Sequence, residues 1–132
     1  MSSEIVVPIN SNSDIVSARQ KGRELANAMA FTSTDATLIT TAISELARNI
    51  VSYAKHGEII IRQIRLGEKV GITVVARDNG PGIANVSQAM QDGFSTSGSL
   101  GLGLPGVQRL MDEFEIISGE KIGTTVTIRK WK

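Results

Sequence analysis

The sequence contains no cysteine, which excludes disulfides, thiolate metal sites and cysteine nucleophiles. Its single histidine, His56, excludes metal sites built from several imidazoles. Aromatic residues make up only 4%, so the core has to be assembled from Ile, Val, Leu, Ala and Met. Charge of one sign is missing too: 14 Lys and Arg face 13 Asp and Glu, a net charge of +1, which makes no electrostatic case for nucleic-acid or membrane binding. No apolar run approaches the roughly 20 residues that span a bilayer. The opening MSSEIVVPIN lacks the basic-then-apolar order of a signal peptide. With 132 residues, 41% hydrophobic and 20% charged, the composition predicts one cytoplasmic globular domain over residues 1–132.

What the chain does have is concentrated glycine. Seven of its 13 glycines fall between Asp78 and Gly106, in DNGPGIANVSQAMQDGFSTSGSLGLGLPG. Glycine lacks Cβ and tolerates positive φ, so this density predicts a loop that exposes backbone to a ligand. At its front, Asp78 closes the apolar run KVGITVVARD; at its back, Gly101-Leu-Gly-Leu104 leads into Pro105, a favoured first residue of a helix. A helix start offers unpaired N–H groups to an anion such as phosphate. The loop therefore predicts a nucleotide site, with the base near Asp78 and the phosphates near 101–106.

Around the loop the periodicities predict three main helices and four or five strands. Glu4–Ile9 reads as an edge strand. Ser13 caps a helix from Asp14 to about Met29, with Ile15, Val16, Ala18, Leu25 and Ala26 inward. Ser33 or Thr34 caps a second helix from Asp35 to about Tyr53, with Leu38, Ile39, Ala42, Ile43, Leu46, Ile50 and Val51 inward, and Gly57 closing it as the residue after the C-cap. His56 reads as a second capping group at that end. Glu58–Leu66 and Lys69–Asp78 form a hairpin about Gly67-Glu68, and Val70, Ile72, Val74, Ala76 and Asp78 share one face. Val86–Met90 is expected as a short helix. Pro105–Phe114 is the third main helix, with Val107, Leu110, Met111 and Phe114 inward. Phe114–Ser118 and Ile122–Trp131 are the last strands, with Ile122, Thr124, Val126 and Ile128 on one face. The fold class is α+β: a two-layer sandwich, its mostly antiparallel sheet covered on one face by three helices.

In that sandwich Asp78 and Thr124 are polar intruders among apolar rows, and a buried carboxylate calls for a partner. Glu45 and Asn49 stand four apart on the second helix and so share a stripe, which the small Ala42 and Ser52 extend. Alone, that pair is what any solvated helix face shows. Gly101-x-Gly103-x-x-Gly106 matches the dinucleotide fingerprint only formally, because FSTSGSL rather than a strand precedes it. The P-loop is absent, since no Lys-Ser/Thr follows the glycines.

The combination is more telling. E-L-A-R-N (Glu45–Asn49), D-N-G-P-G (Asp78–Gly82), G-L-G-L (Gly101–Leu104) and G-T (Gly123-Thr124), in that order over almost the whole chain, resemble the GHKL ATPase/kinase superfamily with its Bergerat fold. Within it, ISELARNI and DGFSTSGSLGLGLPGVQRLMDEF are similar to the anti-sigma-factor serine kinases, in particular the switch kinases of the stressosome.

The resemblance implies an ATP- and magnesium-dependent protein serine/threonine kinase. By it, Asp78 accepts a hydrogen bond from the adenine amino group, and Thr124 supports Asp78 or a bridging water. Gly80 and Gly82, with Ile83, let the backbone pass close to base and sugar. Asn49 coordinates magnesium. Gly101, Leu102, Gly103 and Leu104 hold the phosphates at the start of the Pro105 helix, and residues 92–100 form a lid. Glu45 is the general base. No Lys or Arg lies between Arg77 and Arg109, so Ser95, Thr96 or Ser97, backbone N–H groups and the metal must serve the phosphates, helped by Arg48 or Lys55. That scarcity predicts slow turnover. The implied substrates are STAS-domain stressosome proteins, and the implied target on release is a serine/threonine phosphatase. The alternative is a nucleotide-gated protein-binding module, anti-sigma-factor-like, with little catalysis.

Overall fold

A computed structural model describes residues 4–81, 103–119 and 122–132. Strand β1 (Glu4–Ile9) leads into helices α1 (Asn12–Ala28) and α2 (Ser33–Asn49), the latter prolonged by a π-helical turn (Ile50–Ala54). The hairpin β2 (Gly57–Leu66) and β3 (Lys69–Asp78) follows; beyond the glycine-rich segment come helix α3 (Gly103–Leu110) and strands β4 (Glu113–Gly119) and β5 (Gly123–Trp131). The strands form one antiparallel sheet in the order β1-β2-β3-β5-β4. The expected helix Val86–Met90 lies outside the described residues.

The side-chain period of two builds the inner face of the sheet. Ile59 and Ile61 on β2, Ile72, Val74 and Ala76 on β3, and Val126 and Ile128 on β5 are all buried in one cluster with the helices. From the helices, Ile15, Ala18 and Ala26 of α1, Ile39, Ala42, Ile43, Leu46 and Ala47 of α2, and Leu104 and Val107 of α3 meet them. Aliphatic residues do supply nearly all of this core, as the shortage of aromatics requires.

Several boundaries differ from those expected. Helix α1 starts under Ser11 rather than Ser13, because the Asp14 carboxylate turns back to accept from the N–H groups of Asn10 and Ser11, at 2.8 and 3.1 Å. Val16 is exposed, one 100° step off the buried row Ile15, Ala18, Gly22 and Ala26. Helix α2 is capped by Thr32, whose Oγ1 accepts from Asp35 N at 3.1 Å, rather than by Ser33 or Thr34.

Gly57 is not the residue that ends α2. Lys55, at φ +71°, closes the π-helical turn by donating its N–H to Ile50 O at 2.7 Å, and Gly57 is already the first residue of β2. His56 does not cap the helix either; its Nδ1 lies 2.9 Å from Asn10 Oδ1, tying the turn to the end of β1.

Helix α3 stops at Leu110, and Phe114 belongs to β4 instead. Pairing of Glu113–Gly119 with β5 outweighs the helical spacing of Phe114, and Asp112 fixes the junction by donating its N–H to Arg129 O and accepting from Trp131 N. The helix also begins two residues ahead of Pro105, at Gly103, whose φ of +54° suits glycine. Ile122, expected inward, is 62% exposed because it sits in the turn before β5, outside the alternation. Trp131 ends β5 with its indole N–H on Glu113 Oε2 at 2.5 Å and Lys69 Nζ 5.4 Å from the ring centroid.

Candidate active site

The site grows out of the C-terminal part of α2. Burial of Ile39, Ala42, Ile43 and Leu46 places this face of the helix against the core, and Glu45 is carried in with them to 4% exposure. One carboxylate oxygen, Oε1, accepts from Arg48 Nη1 at 2.7 Å. The other, Oε2, is buried without a hydrogen-bond partner among the described residues. An unmatched buried acceptor costs about 1–3 kcal/mol, so a carboxylate with only a packing role would be a poor choice here. Arg48 is half-exposed, so its guanidinium carries charge from the pair toward solvent.

Asn49 is the last α-helical residue, and the next five form the π-helical turn. Such turns widen the helix by one residue and recur at functional sites. Here the turn brings α2 against the end of β3. A Cβ added to Gly57 would lie 2.8 Å from Ile50 Cγ2 and 3.1 Å from Asp78 Cβ, and one added to Gly80 would lie 2.6 Å from Ala54 Cβ. Ile50 and Ala54 thus pack onto the chain on either side of Asp78, where only glycine fits.

Asp78 is the last residue of β3, half-buried, at the end of the inner row that runs through Ile72, Val74 and Ala76. Its Oδ1 accepts from Gly80 N at 2.9 Å, an Asx-type turn that leads the chain away from the sheet. Among the described residues its other oxygen has no hydrogen-bond partner. Across the sheet Asp78 stands opposite Gly57 on β2 and Thr124 on β5, and Thr124 stands opposite Ser118 on β4. The row Gly57, Asp78, Thr124, Ser118 therefore closes one end of the inner face. Gly123, at φ +72°, makes this possible: an added Cβ would collide with Asp78 O and lie 2.9 Å from Asn79 Cα.

The structure thus brings Asp78, Gly80 and Thr124 together at the sheet end, and carries Glu45, Arg48 and Asn49 on the last turns of α2, whose continuation Ile50–Ala54 packs against that end. It pairs Arg48 with Glu45. Helix α3, with Gly103 and Leu104 in its first turn, packs against α2. Gly82, Ile83, Ser95, Thr96, Gly101 and Leu102, together with the expected lid 92–100, lie outside the described residues.

Two features went unread in the sequence. One is the Glu45–Arg48 pair, although E-x-x-R is an i, i+3 spacing that places the two side chains on neighbouring faces. The other is Ser118, whose Oγ lies 2.7 Å from Thr124 Oγ1 and donates to Gly123 O at 3.2 Å. Its place opposite Thr124 follows from the register of β4 on β5, in which Gly119 pairs with Gly123; strands ending at Ser118 and starting at Ile122 would instead set Ser118 opposite Ile122.

Residues 10–130 match the model of the histidine kinase-like ATPase domain. The chain belongs to that family, as one of its serine/threonine kinases. It is 50% identical over 131 residues to the serine/threonine-protein kinase RsbT of Bacillus subtilis, covering 99% of this chain and 98% of the relative. It is also 35% identical over 100 residues to the anti-sigma F factor of Bacillus cytotoxicus, covering 72% of this chain and 68% of that one. Among solved structures, the RsbU and RsbW domains of Rv1364c from Mycobacterium tuberculosis superpose with a TM-score of 0.62 at 23% identity, over 98% of this chain and 31% of that one. That likeness shows the fold: the five-stranded antiparallel sheet with helices on one face is the α+β sandwich of this family. Family membership carries ATP use with it. Among the described residues no helix is long and apolar enough to cross a membrane.

Proposed function

We propose that this kinase transfers the γ-phosphoryl group of magnesium-ATP to a serine or threonine of a STAS-domain stressosome protein in the cytoplasm. On release from that complex it activates a serine/threonine phosphatase in a general stress, sigma-factor pathway. The observation that carries the catalytic part is the unpartnered, buried Oε2 of Glu45. An acceptor held ready in a water-poor setting, its twin oxygen fixed by Arg48, suits a general base that receives a hydroxyl proton.

Each neighbouring group has a part in this reading. Asp78 takes one proton of the adenine amino group, a charge-assisted bond worth about 1.5–3 kcal/mol. The Gly80 turn leads the chain past base and sugar, continued by Gly82 and Ile83. Gly101, Leu102, Gly103 and Leu104 present backbone N–H groups at the start of α3 to the phosphates, with Ser95 and Thr96 adding hydroxyls. The donor set fits a hard cation: the Asn49 side-chain oxygen, one helical position from Arg48, can supply the single protein ligand that a phosphate-bound magnesium needs. When bound, magnesium neutralises charge on the phosphate oxygens. Arg48 is engaged by Glu45, and the chain has no Lys or Arg between Arg77 and Arg109, so positive charge at the phosphates is sparse and turnover is slow.

The similarity to anti-sigma F factors supports a second reading, a nucleotide-gated binding module with little catalysis. Transfer from labelled ATP with magnesium into STAS-domain partners separates the two, with wild type run beside Glu45→Ala. A labelled serine or threonine that appears only with wild type establishes the kinase and its base together. ATP binding without label in either protein selects the binding module.

A further inference from the structure

The sheet has two edges, β1 and β4, and they are finished differently. In an antiparallel ladder, opposed residues alternately do and do not exchange backbone hydrogen bonds. Lys132 N donates to Val70 O at 2.9 Å, which extends the β3–β5 register as a bonded pair and turns the even-numbered residues of β5 toward β3. The odd-numbered residues of β5 therefore face β4, and Arg129 O accepts from Asp112 N at 3.0 Å accordingly. By register Glu113, Glu115 and Ile117 bond to β5, which leaves the N–H and C=O groups of Phe114 and Ile116 directed away from the sheet. The same counting across β2 turns Glu4, Val6 and Pro8 outward on β1. Pro8 has no N–H to offer, a common way of blunting an edge. Strand β4, by contrast, has no proline, no cation and no break in register from Glu113 to Gly119.

We propose that β4 is a docking edge for an extended segment of a partner protein, a segment that carries a Lys or Arg two residues from an aliphatic side chain. The side chains around the open backbone define that complement. Phe114 and Ile116 are half-buried on the inner face, packed against the core, and Ile117 is 54% exposed on the outer face. Ile122 lies beside it over Gly119, where an added Cβ would come within 3.2 Å of its Cγ1. The arginines of the outer face are taken: Arg62 by Glu4, Arg77 by Glu58 and Arg129 by Glu113. Glu115, exposed and opposite Thr127, has no ion pair among the described residues, so it is the carboxylate that this face leaves unmatched. An added strand continues the alternation, and a cation beside Glu115 with an aliphatic beside Ile117 completes both positions. A second copy of this chain is a poor occupant, because β4 holds no cation. Pairing β4 on itself with Phe114 opposite Ile116 sets Glu115 against Glu115, and with Ile116 opposite Ile116 sets it against Ile117; neither neutralises it.

The test is a titration of the full chain, followed by amide NMR, with the capped peptide Thr-Val-Val-Lys-Val-Val-Thr, which reads the same in either strand direction. Its twin with Glu in place of Lys serves as the control. The lysine peptide should shift the amide signals of β4, those of Phe114 and Ile116 most. It should bind about fivefold more tightly than the glutamate peptide, the worth of one cross-strand charge pair. Glu115→Lys, a change at an exposed position, should reverse that order. Ile116→Pro copies the device of Pro8 and should abolish binding of both peptides; should that variant not fold, Glu115→Lys decides alone. Absence of β4 shifts with either peptide, or an unchanged order of preference in Glu115→Lys, overturns the inference. So does a dimer in sedimentation whose Phe114 and Ile116 amides are protected from exchange, which gives the edge to a second copy instead.

Discussion

Arg48 Nη1 lies 2.7 Å from Glu45 Oε1, and the same carboxylate's second oxygen is buried without a partner among the described residues. The pair is lopsided. One oxygen is anchored from the solvent side by a half-exposed guanidinium, and the other is held in reserve at an energetic cost. Strain or mismatch of this kind persists where function requires it.

The first prediction concerns that cost. Glu45→Gln keeps the shape but removes the charge, so phosphoryl transfer should fall by about 10²–10⁴-fold, the usual worth of a general base. Thermal stability should hold or rise by a few degrees, because an uncharged amide is cheaper to bury than a carboxylate. Parallel transfer assays and melting curves check both. A variant that loses stability and keeps activity would reverse the assignment.

Arg48→Gln should act on the rate rather than on binding. Losing the anchor lets the Glu45 carboxylate swing, so kcat should fall by roughly tenfold while ATP affinity changes little. Stability should fall by about 1–3 kcal/mol, because the Glu45 carboxylate, 5% exposed, loses the donor to its Oε1 and is left with both oxygens unmatched. Should ATP affinity drop instead with kcat preserved, Arg48 serves the phosphates directly.

Asp78→Asn replaces an acceptor-only group by a mixed one at the sheet end. The expected loss of ATP affinity is about 10–100-fold, matching one charge-assisted hydrogen bond. Gly80 N retains an oxygen to donate to, so the turn and the fold should survive. Titration calorimetry measures the loss, and circular dichroism verifies the fold.

Gly123→Ala addresses the backbone. The residue sits at φ +72°, and its new Cβ would run into Asp78 O, so both conformation and space oppose the change. The expected destabilisation is about 2–4 kcal/mol, combining left-handed strain with overpacking. Urea unfolding gives that number, and nucleotide affinity should fall alongside it because Asp78 is the residue displaced. Full stability would mean that the strand end relaxes freely.

Most of this architecture follows from short-range patterns. Val70 to Asp78 alternate in the sequence as they do in β3, so the inward position of Asp78 is a matter of counting by two. The hairpin about Gly67-Glu68 and the apolar stripe of α2 are equally local. What escapes is set by partners. Phe114 fits a helical spacing after Leu110, and only pairing with Ile128 shows it to be a strand residue. Ile50–Ala54 continue the helical periodicity of α2, and nothing in the side chains marks the change to the wider turn. Ser118 is an unremarkable strand serine until register sets it opposite Thr124. Glu45, Asn49, Asp78 and Thr124 are legible as separate motifs that only the resemblance joins into one site; the sheet itself pairs Asp78 with Thr124.

Trp131, pinned by Glu113 and Lys69, ends the same strand that begins beside Thr124. Seven residues separate the two, so the indole stands roughly 23 Å of extended chain from the site. As the chain's only tryptophan it provides an intrinsic fluorophore that senses loss of the sheet and is too distant to sense the ligand. Emission at that one position can therefore track unfolding of every variant above, label-free, with nucleotide present or absent.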